Sequence, residues 1–147
     1  MGRLADTNLL LRGAETGHPM QSQALEALAG LVRSGEVVYI TPQNLYEFWV
    51  VATRPAERNG LGMTASEAAA ELARLEARFP LLPDTPTVYR EWRRLVTSHG
   101  VVGVRAHDTR LVASMLAHGV THVLTFNVSD FKRYSEITVV HPQDVPK

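Results

Sequence analysis

The chain is expected to fold as a three-layer α/β/α sandwich around a short, mainly parallel sheet of four or five strands. Three observations carry that expectation. Short apolar runs alternate with longer stretches whose apolar residues recur at helical spacing. One of the runs, Val37-Val38-Tyr39-Ile40, is apolar throughout, as in a strand covered on both faces. No internal repeat, low-complexity tract or linker interrupts the 147 residues, so residues 1–147 are expected to form one domain with a real core.

The elements follow in order. Arg3-Leu4-Ala5-Asp6 is a strand that runs into the polar residues Thr7 and Asn8. Leu9-Leu10-Leu11 begins a short helical turn broken around Gly13 and Gly17. A helix spans about Pro19 to Arg33, with Leu25, Leu28, Leu31 and Val32 as its apolar face and Gly35 beyond its end. After the strand at 37–40, Thr41-Pro42 pairs a capping hydroxyl with a proline at the first helical position. The helix it opens, Pro42 to Thr53, is apolar on nearly every side and is expected to be buried all round. A polar loop runs from Arg54 to Gly62. Thr64 and Glu67 then form a capping box for a helix to Arg78, with Ala68, Leu72 and Leu75 as its seam. Prolines in Phe79-Pro80-Leu81-Leu82-Pro83 restrict that segment to an edge strand or none. Thr85 caps a helix from Pro86 to His99, and a further helix around Asp108 is closed by Gly119. His122–Phe126 is a strand, Asn127–Phe131 a polar turn or helical start, and Ile137–Val140 the last strand.

Composition excludes several classes. No apolar run is long enough to span a membrane, no secretory signal precedes the first strand, and a cytoplasmic location is the default expectation. The absence of cysteine rules out disulfides and thiolate metal sites. Net charge is zero, which gives no general support for nucleic-acid binding. Drawing four acids into a metal site, however, leaves a basic excess that can attract a phosphate backbone. Arg12, Arg54, Arg58, Arg105, Arg110, Lys132 and Arg133 lie near the ends of the relevant elements and are candidates for such contacts.

The acids are placed for chemistry. In open α/β sheets ligands bind beyond the carboxyl ends of the strands. Asp6 ends the first strand, Glu47 lies on the helix leaving the second, and Asn127 and Asp130 follow the Thr125 strand. Asp108 precedes Leu111, Val112 and Met115 at helical spacing, so it shares their inward face. Two plainer readings compete: Asp108 as a helix cap, and Glu47 as an exposed member of a polar strip with Gln43, Asn44 and Arg54. Gathered carboxylates raise one another's pKa, and a hard divalent cation relieves the repulsion; Mg²⁺ or Mn²⁺ suits oxygen ligands, whereas zinc has neither Cys nor a His pair here. Thr7 and Thr125 can orient such ligands. Trp49 and Trp92 fall on apolar helix faces and are expected to pack, and His107 is expected to be structural or to support the ligands from behind.

Asp6-Thr7-Asn8, Glu47, His107-Asp108 with Leu111-Val112-Ala113, and Thr125-Phe126-Asn127-Val128-Ser129-Asp130-Phe131 together resemble PIN domains, in particular VapC-type toxins. The resemblance runs from Asp6 to Asp130 in the family's order. It implies a Mg²⁺/Mn²⁺-dependent ribonuclease whose catalytic, metal-holding acids are Asp6, Glu47, Asp108 and Asp130, with Asn127 as an accessory ligand. It also implies an RNA substrate, a co-encoded antitoxin and a homodimer. The apolar residues of the helices after Thr64 and Pro86 independently favour self-association. Phe126 departs from the pattern, standing where many relatives carry Arg. Two alternatives compete: a receiver-like phosphoacceptor domain, for which Asp84 or Asp6 is the acceptor, and a PIN fold without catalysis.

Overall fold

The structure is a computed structural model that describes residues 2–146. Four short strands, β1 (Gly2–Ala5), β2 (Val37–Tyr39), β3 (His122–Leu124) and β4 (Thr138–Val140), form one sheet in the order β2-β1-β3-β4. All three pairings are parallel, with Leu4 opposite Tyr39 and Val123, and Val123 opposite Val139. Leu81 adds a single parallel bridge to Ile40, which is as much pairing as its flanking prolines permit.

Alternation along the strands divides the interior into two layers. Ala5, Val38 and Leu124 face α1 (Thr7–Ala14), α2 (Gln21–Arg33), α3 (Pro42–Thr53) and α4 (Ala65–Arg78). Leu4 and Val123 face the opposite layer, built from α5 (Pro86–Ser98) and α6 (Arg105–His118). The result is the α/β/α sandwich, with four strands. No helix among the described residues is long and apolar enough to cross a membrane.

Local chemistry sets most boundaries. Thr41 and Asn44 cap α3 reciprocally, and Thr64 and Glu67 do the same for α4. Gly119 ends α6 at φ +71°, a left-handed conformation that costs glycine little. Thr85 occupies the cap position of α5, but its side chain makes no capping bond. The turn after Leu11 continues as a full helix through Gly13, because α1 packs against α2 and α3.

Two apolar faces differ from expectation. In α2 the buried stripe is Ala24, Ala27, Leu28 and Leu31, while Leu25 and Val32 are exposed. The alanines hold the spacing that faces the sheet and let the helix approach closely. In α3, Phe48 and Ala52 are buried, but Tyr46 is 61% and Val50 55% exposed, so the helix is not buried all round. It is sandwiched between α1 and α4 on one side only; its other side forms the wall of a cleft.

Candidate metal centre

The carboxyl ends of β1 and β3 lie side by side, and their backbone ladder continues one residue past the strands: Asp6 N–H donates to the Leu124 carbonyl, and Thr125 N–H to that of Val140. This register sets Asp6 beside Thr125. Asp6 caps α1 and is only 8% exposed. Its Oδ1 accepts from Thr7 N–H at 2.8 Å, and its Oδ2 accepts from Thr125 Oγ1 at 2.8 Å and Asn8 Nδ2 at 3.2 Å.

Glu47 reaches the same end of the sheet from α3, where it is half-buried. Thr7 Oγ1 donates to its Oε1 at 2.7 Å and Gln43 Nε2 to its Oε2 at 3.3 Å. Gln43 also donates to the His107 carbonyl at 2.8 Å, tying α3 to α6. Asn44, fully buried, donates to the Ala5 carbonyl and to Thr7 Oγ1, and thereby fixes the hydroxyl that serves Glu47. The polar strip of α3 is therefore real but faces inward. Gln43 and Asn44 were not expected to belong to the site, although their position four and three residues before Glu47 puts all three on one helix face.

Asp108 and Asp130 complete the group differently. Asp108, in the first turn of α6, makes no capping bond. Asp130 closes a 3-10 turn, Val128–Asp130. Arg105 Nη1 lies 2.5 Å from Asp130 Oδ1 and 3.5 Å from Asp108 Oδ2. Asn127 precedes the turn with an exposed side chain, and its backbone N–H donates to Thr125 Oγ1.

Asp108 links the four acids electrostatically: it and Glu47 act on Asp6, and Asp130 and Glu47 act on it. Burial is the main cause that raises the Asp6 pKa from 3.8 to about 6; Thr125 and Thr7 hold it down by hydrogen bonding, while Asp108 and Glu47 push it further up. Asp108 is also raised, by burial first and then by Asp130 and Glu47, against the attraction of Arg105. A cleft of about 670 Å³ opens beside Thr7, Glu47, Tyr46, Val50, His107 and Arg110.

Three features fit a hard divalent cation. The donor set is all oxygen. The buried Gln43 Oε1 has no hydrogen-bond partner among the described residues. A cation, the Arg105 guanidinium, already bridges two of the acids. As they stand, no three His, Asp or Glu side chains among the described residues are gathered closely enough to hold a metal ion.

The other singled-out residues sort as follows. Trp92 is half-buried and donates to the Ala106 carbonyl at 2.9 Å, and Trp49 packs against the first core. The His107 ring is exposed; only its backbone carbonyl is structural. Asp84 is exposed in the loop before α5 and pairs with Arg110 at 2.7 Å. Arg12 pairs with Glu15, and Arg58, Lys132 and Arg133 are exposed. Phe126 packs edge-on against His141.

No curated protein matches the chain at a significant level. Among solved structures the fold is similar to VapBC-1 from nontypeable Haemophilus influenzae (TM-score 0.70, 14% identity, covering 98% of this chain and 100% of that one). It is also similar to VapBC2 from Rickettsia felis, solved bound to a DNA fragment from the promoter (TM-score 0.68, 15% identity, 96% and 98%). A third similar structure is VapC20 from Mycobacterium tuberculosis, described as a sarcin-ricin loop cleaving toxin (TM-score 0.67, 19% identity, 92% and 98%). At these identities the likeness speaks for the fold. The family model for the PIN domain matches residues 3–137, nearly the whole chain from β1 to the residue before β4, and the protein belongs to the PIN domain family.

Proposed function

We propose that the protein is a Mg²⁺- or Mn²⁺-dependent endoribonuclease that hydrolyses RNA phosphodiester bonds, and that it is the toxin of a toxin–antitoxin pair. The observation that carries this reading is the buried Asp6 carboxylate: three neutral donors orient it and two further carboxylates, Asp108 and Glu47, act on it, although burial and repulsion both disfavour its charge. Such an arrangement makes sense when a cation neutralises it.

Asp6, Glu47, Asp108 and Asp130 would hold the ion, with Asn127 as an accessory donor. When bound, such an ion acidifies water and polarises a phosphodiester oxygen. The chain's own residues do the rest. Thr7 and Thr125 keep the carboxylates of Glu47 and Asp6 turned toward the site. Arg54 lines the cleft next to Glu47 and offers positive charge to a phosphate backbone. Tyr46 and Val50 form an apolar wall on one side of that cleft. All 147 residues act as one catalytic domain.

The partners follow from two supports. Two similar structures are described as VapBC, and one as a sarcin-ricin loop cleaving toxin. The chain also leaves Tyr46, Val50 and Tyr89 exposed, apolar surface suited to a second copy or an antitoxin. The test is direct. Purified protein should cleave RNA in Mg²⁺ or Mn²⁺ and stop on EDTA addition, and activity that survives chelation sinks the reading. Light scattering at micromolar concentration should give the mass of a dimer.

A further inference from the structure

We propose that Arg105 is an internal counter-cation of the acid cluster, which holds Asp108 and Asp130 until a divalent ion displaces it, so that metal loading is a competition between the ion and the guanidinium. The inference rests on the reading of the four acids as a metal site.

The geometry supports it on three counts. One nitrogen, Nη1, faces both carboxylates, at 2.5 Å and 3.5 Å, where an oxygen-seeking cation would also sit. No neutral side chain among the described residues donates to Asp108 or Asp130, whereas Asp6 and Glu47 are held by hydroxyls and amides. The guanidinium is therefore what orients that half of the cluster.

The second count is its place on the helix. Arg105 opens α6, and the N-terminal turn of a helix repels positive charge. Helix formation does not favour a cation there; the two acids do. The third is mobility. The Arg105 side chain is half exposed, and it follows an open loop in which Gly103 takes φ +63° and Val102 and Val104 project into solvent. It can swing outward without disturbing the core. An ion that needs Asp108 must remove it, since a carboxylate oxygen that serves the guanidinium is lost to a metal, and the apparent affinity falls by the fraction of molecules in the paired state.

The experiment is calorimetric titration of MnCl₂, without RNA, into the full chain and three variants. Arg105→Gln removes the competing charge, Arg105→Met removes it while keeping an apolar stem, and Arg110→Gln removes an equal charge that pairs with Asp84 instead. Loss of the competitor should lower the Mn²⁺ dissociation constant about fivefold in both Arg105 variants, and Arg110→Gln should stay within about twofold of wild type. Far-UV circular dichroism checks that each variant is folded. Equal affinity in all four proteins, weaker binding in the Arg105 variants, or equal tightening by Arg110→Gln overturns the inference while the metal reading stands. Absence of Mn²⁺ binding from every protein removes the metal reading and the inference with it.

Discussion

The two halves of the acid cluster are built by different means. Asp6 and Glu47 are anchored by neutral donors from three elements: Thr7 and Asn8 of α1, Gln43 of α3, and Thr125 after β3. Asn44 stabilises the donor itself by bonding Thr7. Asp108 and Asp130 share one exposed guanidinium. The neutral half is fixed by hydrogen bonds within the fold. The ionic half depends on a side chain that can leave. A site arranged this way has a preformed floor and an adjustable rim, and each half should fail in its own manner.

The largest effect is expected from the adjustable half. Asp108→Asn keeps the shape of the side chain and leaves α6 intact while it removes a charge. On the proposed function, losing one ligand of the cation should cut RNA cleavage by about 10³-fold. Metal-free thermal stability should stay level or rise, because burial, Asp130 and Glu47 all disfavour the Asp108 charge. A melting temperature that falls sharply would put Asp108 among the structural carboxylates and erase the contrast between the halves.

That contrast was only partly readable in the sequence. The strand–helix alternation, the capping of α3 and α4 and the Gly119 stop lie in local patterns, and the structure reproduces them. Asp6 was likewise visible as an acid that ends a strand, and Glu47 as an inward-facing acid in the middle of an apolar helix. Gln43, Asn44 and Arg54 were read with Glu47 as an exposed strip in one view of α3, since polarity at helical spacing does not say whether a polar face meets solvent or other polar groups. The burial of Gln43 and Asn44 depends on Thr7 and the His107 carbonyl, which arrive from elements far away in the chain. Tyr46 and Val50 misled in the opposite sense: an apolar side chain carries no mark that separates a core face from a cleft wall. Arg105 was visible as a basic residue near the site, but its pairing with Asp130 depends on how α6 and the 3-10 turn are juxtaposed.

The neutral half should reveal itself through pH. The folded chain holds the Asp6 proton with a pKa of about 6, against 3.8 for an ordinary aspartate, so the folded state binds that proton more tightly than the unfolded state does. In EDTA, the Asp6 contribution to stability therefore rises as pH falls from 7 through 6 toward 4, by at most about 3 kcal/mol. Urea unfolding of wild type and Asp6→Asn at pH 7 and pH 4.5 isolates the effect, because acids elsewhere cancel in the difference. Wild type should gain on the variant as the pH drops. Saturating Mn²⁺ should reverse the trend, since protons then compete with the ion. A difference that does not vary with pH would mean that Asp6 is not strained in the folded protein.

The smallest effect separates the halves by salt. Thr125 is fully buried and its hydroxyl donates to Asp6, so Thr125→Val leaves one oxygen of a buried carboxylate less satisfied. That should cost about 1–2 kcal/mol of metal-free stability. Arg105→Gln breaks a pair at the solvent-facing rim, where water and side-chain entropy offset much of the attraction, so its destabilisation should be smaller. The two losses should also respond differently to NaCl. At 1 M salt the screening length shrinks to about 3 Å, and an exposed ion pair loses most of its value. A hydrogen bond from a buried hydroxyl has no ionic atmosphere to lose. Urea titrations of both variants at 0.1 M and 1 M NaCl in EDTA should thus show the Arg105→Gln loss fading while the Thr125→Val loss persists. If both fade together, Asp6 is as open to the ionic atmosphere as Asp130, and the cluster has one environment instead of two.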